Sequence, residues 1–253
     1  MELLKVKDFS HIFPIDYPII FLHAHPDDEA FLNVGIMVSL IKSGRKCYNI
    51  FCAAGINLEN ECSLIRQKEA RHAGRCLNMT SVAFLNINDS GFSSNMSCSR
   101  MNIQDIELEY NSCLRDLGIK QPYVLVSYDY KGGYGHVDHV KTHEIGKRIA
   151  KNAINSDILY FESTINRNLY ANWFNVNSCI LNSNQLPELR YWSAEFGTQE
   201  SEISYKYELT DEELKIKKQI LSIYKSQINP NLFPLTLSPE DFKLLFGYEY
   251  LNT

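Results

Sequence analysis

The sequence lacks several features that mark large classes of protein. Its 253 residues contain no long basic run and carry a net charge of −5, which argues against nucleic acid as a partner. No stretch of about 18 apolar residues occurs, so no membrane span is predicted. Charges and prolines interrupt the start of the chain, where a signal peptide needs an unbroken apolar segment, and we therefore expect a cytoplasmic protein.

Two further absences concern cysteine and glycine. The seven cysteines form no C-x-x-C pair and their number is odd, which is typical of reduced, packed thiols in the cytosol. The turn after the first predicted strand has no G-x-G-x-x-G motif, and three acids in it would repel a phosphate. Nucleotide binding therefore ranks last among the functions considered.

Short apolar runs alternate with segments of helical length. Because strands that alternate with helices form parallel sheets, this pattern predicts an α/β fold: a Rossmann-like, mostly parallel sheet with helices on both faces. No repeat or linker divides the chain, so we expect one domain over residues 1–253. The predicted strands are residues 19–24, 46–55, 81–87, 123–130 and 157–163, and the predicted helices are about residues 30–44, 61–77, 102–117 and a segment ending near 154.

Residues 164–253 have a weaker pattern, and we expect irregular segments there that build the site and a tail. A T-x-x-E capping box at Thr210 and Glu213 predicts one helix, and Ser238-Pro239 with Gly247 delimits a second. Residues 88–101, residues 164–205 and the aromatic tail are candidates for the entrance of a site. The tail aromatics, Phe242, Phe246, Tyr248 and Tyr250, are equally compatible with a core or a subunit interface.

Histidine is concentrated in two places. Five of the seven histidines lie in two short segments, one directly after the first predicted strand and one directly after the fourth. Ligands of parallel α/β sheets bind beyond the carboxyl ends of the strands, which is where both segments are predicted. We therefore expect a single site that both segments build. The five histidines are His23, His25, His136, His139 and His143.

The first segment, His23 to Glu29, holds two imidazoles and three acids in seven residues. Such a concentration is costly at a sheet edge unless a cation compensates the charge. His25 and Asp28 are three residues apart, so on a tight turn they can converge on one ion and leave Asp27 to handle a proton. The alternative for this segment alone is that the acids complement the dipole of the following helix.

The second segment, Gly132 to His143, begins with glycines that allow a sharp turn. His136 and His139 are about one helical turn apart and can face one pocket, although a solvated loop with surface histidines is the alternative. Two histidines and a carboxylate match the three protein ligands of a catalytic zinc site, whereas magnesium or calcium would not call for imidazole. We therefore predict His25, Asp28 and His139 as ligands of one Zn²⁺, with another divalent metal as the alternative.

The two segments resemble the signatures of the PIG-L/LmbE family of zinc-dependent N-acetylglucosaminyl deacetylases. Ala24 to Glu29 reads A-H-P-D-D-E, and Gly135 to His139 reads G-H-x-D-H. Val137 and Tyr224 depart from the proline and histidine common in the family, which cautions against transferring a substrate. Weaker matches over about residues 20–251 are R-x-x-E at Arg66 and Glu69, D-S-G at Asp89 to Gly91, F-G at Phe196 and Gly197, and S-Q at Ser226 and Gln227.

The resemblance implies a role for each matching residue near the metal. Asp27 would be the general base. His136 would stabilise the tetrahedral intermediate as a cation or protonate the leaving amine, and Asp138 would orient it. Tyr134 would donate a hydrogen bond to the developing oxyanion.

The resemblance also implies that Arg66 and Asp89 bind the sugar or its attached group. The alternatives are that Arg66 only pairs with Glu69 on a helix face and that Asp89 only shapes a turn.

The predicted activity is zinc-dependent removal of the N-acetyl group from an amino sugar. Asp27 would take the proton of a water activated by the metal as that water attacks the amide carbonyl. The substrate, an N-acetylglucosamine-type unit of a glycoconjugate or natural product, is implied by the resemblance alone. The alternatives are hydrolysis of a longer acyl or non-sugar amide, and a non-catalytic sugar-binding protein, against which the presence of Asp27 argues.

Overall fold

One mixed sheet of eight strands organises the chain. The computed structural model describes residues 3–9, 12–55, 60–91, 99–153, 157–177, 196–231 and 233–253. The strand order is β1-β7-β8-β6-β5-β2-β3-β4. Strands β2 to β6 run parallel, whereas β8 is antiparallel to both of its neighbours. The strands are β1 (Leu4–Val6), β2 (Ile19–His23), β3 (Cys47–Phe51), β4 (Ser81–Phe84), β5 (Tyr123–Tyr128), β6 (Ile158–Thr164), β7 (Tyr205–Glu208) and β8 (Tyr248–Asn252).

Helices cover both faces of the sheet. Alternate residues of β2 enter two separate hydrophobic cores, with Ile19 and Phe21 in one and Ile20 and Leu22 in the other, as expected for a strand buried on both faces. The predicted α/β fold with a mostly parallel sheet is therefore confirmed. The helices are α1 (Asp28–Leu32), α2 (Val34–Lys42), α3 (Glu61–Leu77), α4 (Ile103–Asp116), α5 (Gly132–Gly135), α6 (Val137–Asn152), α7 (Arg167–Val176), α8 (Asp211–Ile223) and α9 (Pro239–Phe246).

The first predicted helix differs from the observed one. The expected helix at 30–44 is two helices, α1 and α2, separated at Asn33, whose φ of −136° is not helical. The buried side chain of Asn33 donates to Ser163 Oγ at 2.7 Å and lies 3.0 Å from Nε2 of His23. These two contacts hold Asn33 in place at the break.

The C-terminal part is more regular than predicted. Residues 164–253 contain the helix α7 and the strands β7 and β8, which lie side by side in the sheet between β1 and β6. Both predicted helices, α8 with its capping box and α9, are confirmed. The tail aromatics Phe242, Phe246 and Tyr250 are buried, so they belong to the core or to β8. The expectations for residues 92–98 and 178–195 lie outside the described residues.

The chain changes direction across the sheet between β2 and β5. Strands β3 and β4 extend the sheet on one side of this pair, and β6 extends it on the other. Such a switch point opens a crevice at the carboxyl ends of the two strands, and both histidine segments begin there.

Among the described helices, none combines the length and the apolar character needed to cross a bilayer. The shared sheet supports the single domain, which stays a prediction.

Candidate metal centre and active site

A tight turn after β2 presents the first polar segment. The main-chain N–H of His25 donates to Asp28 Oδ2 at 2.8 Å, which folds the two predicted ligands together. Asp27 between them has φ 110° and ψ −26°, a left-handed conformation that is strained for a residue other than glycine. Its N–H donates to Glu29 Oε2 at 3.2 Å, and Tyr224 donates to the other oxygen of Glu29. The turn is thus held from both ends.

Glycines after β5 position the second segment. Gly132 has φ +62°, and a Cβ placed on it would lie 2.6 Å from the Cβ of His139. Only glycine therefore allows the loop to pass so close to α6. The carbonyl of Gly132 lies 3.0 Å from Nδ1 of His139, and Asp129 Oδ1 accepts from the N–H of Gly133 at 3.0 Å. These contacts fix the ring of His139.

The three predicted metal ligands converge. His139 Nε2 lies 3.2 Å from Asp28 Oδ1, and His25 Nδ1 lies 3.7 Å from Asp28 Oδ2. All three side chains are buried. Two overlapping groupings have possible ligand atoms within 4.8 Å of one another: His25 with His136 and His139, and His25 with Asp89 and Asp138. His136 is therefore next to the predicted ligand set.

Acceptors hold one ring nitrogen of each of the two histidines that are predicted to bind the metal. His25 Nε2 lies 3.0 Å from Asp138 Oδ2, and His139 Nδ1 faces the carbonyl of Gly132. Metal-binding histidines characteristically donate their second N–H in this way, which turns the other nitrogen towards the ion. His139 Nε2 is buried and makes no hydrogen bond of good geometry among the described residues. Two imidazole nitrogens and one carboxylate fit a catalytic zinc site, and a metal would satisfy this nitrogen.

The electrostatics separate the two neighbouring aspartates. Burial opposes ionisation of Asp28, but His139 and His25 together hold its pKa well below the usual value. Burial, reinforced by the charge of Asp28, raises the pKa of Asp27 well above the usual value. One aspartate is thus kept as an anion for a cation to bind, while its neighbour is able to retain a proton.

The surroundings of His136 disfavour a charged ring. Burial and the nearby His139 and His25 lower the pKa of His136 to about 3. Its two expected roles stay predictions. Its Nδ1 accepts a hydrogen bond from the N–H of Asp138 at 3.1 Å. The proton of the neutral ring is therefore on Nε2, which makes His136 a hydrogen-bond donor at that atom.

The carboxylate of Asp138 has partners other than the one expected. The resemblance implied that Asp138 orients His136, but its carboxylate contacts His25, the N–H of Ser90 at 2.9 Å and the hydroxyl of Ser90. Ser90 lies in the loop after β4, so the Asp138 side chain points towards that loop. The carboxylate therefore orients a predicted metal ligand, while the main-chain N–H of Asp138 donates to His136.

A cavity of about 450 Å³ opens beside these residues. Arg66 and Asp89 line it and pair at 2.9 Å between Nη1 and Oδ2. Arg66 does not take the alternative of pairing with Glu69, which accepts from the N–H of Ser226 at 3.0 Å. Asp89 also shapes its turn, since its Oδ1 accepts from the N–H of Gly91 at 2.7 Å. The other predicted residues on the cavity wall are His25, Asp27, Asp28, Tyr134, His136 and His139.

The remaining two histidines of the segments serve the fold. His23 lies between Asn49 Oδ1 at 2.9 Å and Asn33 Oδ1 at 3.0 Å. His143 Nδ1 lies 3.0 Å from the carbonyl of Tyr128. Neither residue is among those that line the cavity.

Three residues of the site were not predicted. Tyr128 donates to Asp28 Oδ2 at 2.5 Å and its ring stacks on that of His139 with 4.4 Å between centroids. Ser90 donates to Asp138, and Tyr224 donates to Glu29. Tyr128 ends a strand whose carboxyl end was predicted to face the site, so its position was a usable signal. Ser90 lies in the D-S-G match and Tyr224 at a departure from the family pattern, but their contacts join segments far apart in the chain, and no local pattern indicates those partners.

The chain is similar to several known proteins. Residues 20–150 match the family model described as PIG-L, GlcNAc-PI de-N-acetylase. A 1D-myo-inositol 2-acetamido-2-deoxy-alpha-D-glucopyranoside deacetylase of Mycolicibacterium smegmatis is 26% identical over 150 residues, covering 51% of this chain and 52% of that protein. A mycothiol S-conjugate amidase of Streptomyces coelicolor is 26% identical over 142 residues, covering 49% of this chain and 48% of that protein. The chain spans about half the length of the curated relatives it matches.

A solved structure extends the similarity of the fold over nearly the whole chain. The N,N'-diacetylchitobiose deacetylase of Pyrococcus horikoshii covers 93% of this chain and 82% of its own, with a TM-score of 0.53 and 15% identity. At this identity the likeness establishes the fold. The family match covers residues 20–150, which carry both histidine segments. The chain belongs to the PIG-L family.

Proposed function

We propose that this protein is a metal-dependent hydrolase that removes the N-acetyl group from an N-acetylglucosamine-type amino sugar. The observation that carries the proposal is the convergence of His25, Asp28 and His139, whose buried Nε2 makes no hydrogen bond of good geometry to any residue that the structure describes. Asp27 lines the same cavity. The family description and the names of the two curated relatives support an N-acylated amino sugar as the substrate class.

The metal would be held by His25 Nδ1, Asp28 and His139 Nε2. A Zn²⁺ ion bound there would polarise the amide carbonyl and lower the pKa of the attacking water. Zinc is favoured by the imidazole ligands. Another divalent ion is the alternative, and one ion for each chain is proposed.

Asp27 would take the proton of the water as it attacks. Burial and Asp28 raise the pKa of Asp27, so its carboxyl group is suited to keep that proton until the C–N bond breaks. The amine then receives the proton and leaves in its neutral form. This shuttle needs no second acid, which fits the low pKa of His136.

The developing oxyanion needs hydrogen-bond donors. Nε2–H of the neutral His136 is one candidate, and the hydroxyl of Tyr134 on the cavity wall is the other. The ring of Tyr134 lies 4.9 Å from that of His139, between centroids. The paired Arg66 and Asp89 offer charged groups for the hydroxyls of a sugar.

The remaining expectations concern the location of the protein in the cell and its partners. Five described cysteines, Cys47, Cys52, Cys62, Cys76 and Cys113, are free thiols, which suits a reducing compartment. A cytoplasmic location and the absence of a nucleic-acid partner stay predictions.

The test compares metal content with acetate release. Wild-type protein reconstituted with Zn²⁺ is expected to hold one ion and to release acetate from methyl N-acetylglucosaminide, and a chelator is expected to abolish the release. His139→Ala should lose bound zinc in elemental analysis together with activity. His72→Ala is the matched control, because His72 is exposed on α3. Full zinc content in His139→Ala would remove His139 from the ligand set, and unchanged activity after chelation would refute metal dependence.

A further inference from the structure

The cavity has two chemically different sides. On the side of β3 and β4, Arg66 from α3 and Asp89 from the loop after β4 provide a charged pair. On the side of β6, the wall is mostly apolar, although Gln227 and Asn229 line the cavity on either side of Ile228. Its apolar members are Phe31 and Leu32 from α1, Ile165 and Tyr170 from the end of β6 and α7, and Ile228 and Phe233 after α8.

The aromatic members of this apolar wall form one surface. The rings of Phe31, Tyr170 and Phe233 lie 6.1, 6.4 and 5.9 Å from the ring of Phe246, between centroids. Phe246 is buried, so it supports all three from behind. The hydroxyl of Tyr170 donates to the carbonyl of Leu245 at 3.0 Å. Because a main-chain acceptor already satisfies this hydroxyl, Tyr170 contributes mainly its ring to the cavity.

The candidate metal centre lies between the two sides. Its residues follow the neighbouring strands β2 and β5, with the charged pair towards β4 and the apolar wall towards β6. An amide that reacts there has an amine portion on one side of the C–N bond and an acyl portion on the other. The hydroxyl groups of an amino sugar suit Arg66 and Asp89. The acyl portion is then directed towards the apolar wall, and the single methyl group of acetate would leave most of that wall uncovered.

We propose that this site accepts N-acyl amino sugars whose acyl chain is longer than acetyl, with the chain lying along Phe31, Ile228 and Phe233. This inference rests on the proposed function and names its substrate class more closely. The reaction is hydrolysis: water adds to the acyl carbon, the C–N bond breaks, a fatty carboxylate is released, and the amine leaves with the proton. No further reactant is needed.

The size of the effect follows from apolar burial. One buried methylene group contributes about 0.8 kcal/mol, which corresponds to about a fourfold rise in kcat/KM for each methylene. The experiment measures kcat/KM of the zinc-loaded protein for methyl glucosaminides carrying acetyl, butanoyl and hexanoyl groups. Butanoyl adds two methylenes to acetyl, so we expect a rise of roughly 15-fold on the same scale. A parallel arm uses octyl N-acetylglucosaminide, which places the apolar group on the other side of the amide.

A substitution in the apolar wall tests where the acyl chain of the substrate lies. Ile228→Asn is expected to flatten the dependence of kcat/KM on chain length, because it replaces an apolar wall residue with a polar one. Leu244→Asn is the matched control, since Leu244 is 42% exposed on α9 and does not line the cavity, and it should keep the dependence. Melting temperatures of both variants establish that they are folded. If a variant does not fold, the series of acyl lengths measured on the wild-type protein still tests the inference.

The outcomes separate this inference from the proposed function. Rising kcat/KM along the acyl series, lost in Ile228→Asn, supports the inference. If the protein hydrolyses the acetyl substrate and kcat/KM falls as the acyl chain lengthens, the inference is overturned and the proposed function stays intact. A gain with the octyl glycoside but not with longer acyl groups assigns the apolar wall to the aglycone and overturns the acyl assignment. No release from any substrate overturns both.

Discussion

Two clusters of buried charge lie on this sheet, and they differ in how completely their polar atoms are satisfied. Lys217 of α8 pairs with Glu249 of β8 at 2.8 Å, and both side chains are almost fully buried. The carboxylate of Glu249 also accepts from the N–H groups of Gly35 and Ile36 at 2.8 Å each, at the start of α2. Neither charged residue lines the cavity.

The histidine and aspartate cluster at β2 and β5 is different. Its charges face a cavity, and Nε2 of the buried His139 makes no hydrogen bond of good geometry in the described structure. Asp27 beside it is in a strained left-handed conformation. Burial of charge alone therefore does not indicate a ligand-binding site. A buried pair in which each charged group has a hydrogen-bond partner holds elements together, whereas a cluster on a cavity that leaves a buried nitrogen without one is prepared to bind a ligand.

The largest effect is expected at the cluster on the cavity. Asp27→Asn should lower turnover by roughly 10²–10⁴-fold, the usual contribution of a general base, while zinc content stays unchanged because Asp27 is not a proposed ligand. Asparagine tolerates the left-handed backbone, so the turn should survive. Asp116→Asn, at an exposed position of α4, is the control. Turnover like that of the wild type in Asp27→Asn would disprove the base assignment.

Substitution in the buried pair of Lys217 and Glu249 is expected to change the stability of the protein and not its activity. Lys217→Met leaves Glu249 buried without its counter-ion and should lower the free energy of unfolding by about 3–5 kcal/mol, measured by urea denaturation. Zinc content and turnover of the folded fraction should stay at the wild-type level. The double variant with Glu249→Gln should recover part of the loss. A Lys217→Met protein with normal stability and reduced zinc would erase the distinction between the two clusters.

The smallest effect is expected for Asp138, which contacts a proposed metal ligand but is not itself one. Asp138→Asn weakens the acceptor that holds His25 Nε2, and zinc affinity should fall by about 10–100-fold, as for other groups that orient metal ligands. Competition with a chromogenic chelator measures this affinity. Asp105→Asn, an exposed substitution on α4, is the control. An unchanged affinity would mean that the protein holds His25 without Asp138.

Local patterns predicted most of the parallel core. The helix at Glu61–Leu77 has the predicted bounds, because its apolar spacing is regular and Asn60 caps it by accepting from the N–H of Ser63. Strand β8 was missed, since it is antiparallel and pairs with β6 and β7, which are distant in the chain. The break at Asn33 was missed for the same kind of reason, because Ser163 and His23 hold it through tertiary contacts.

The residue types of the site and their place in the chain were determined by the sequence itself. His25, Asp27, Asp28, His136 and His139 had to lie after two strands of a parallel sheet, because apolar runs define those strands and ligands gather at their carboxyl ends. Which atoms meet was decided by tertiary structure alone. The carboxylate of Asp138 holds His25 and not His136, and Tyr128 and Tyr224 reach Asp28 and Glu29 across 100 and 195 residues of chain. Directional contacts of this kind depend on how α6, β5 and α8 pack against the turn, and no local pattern encodes that packing.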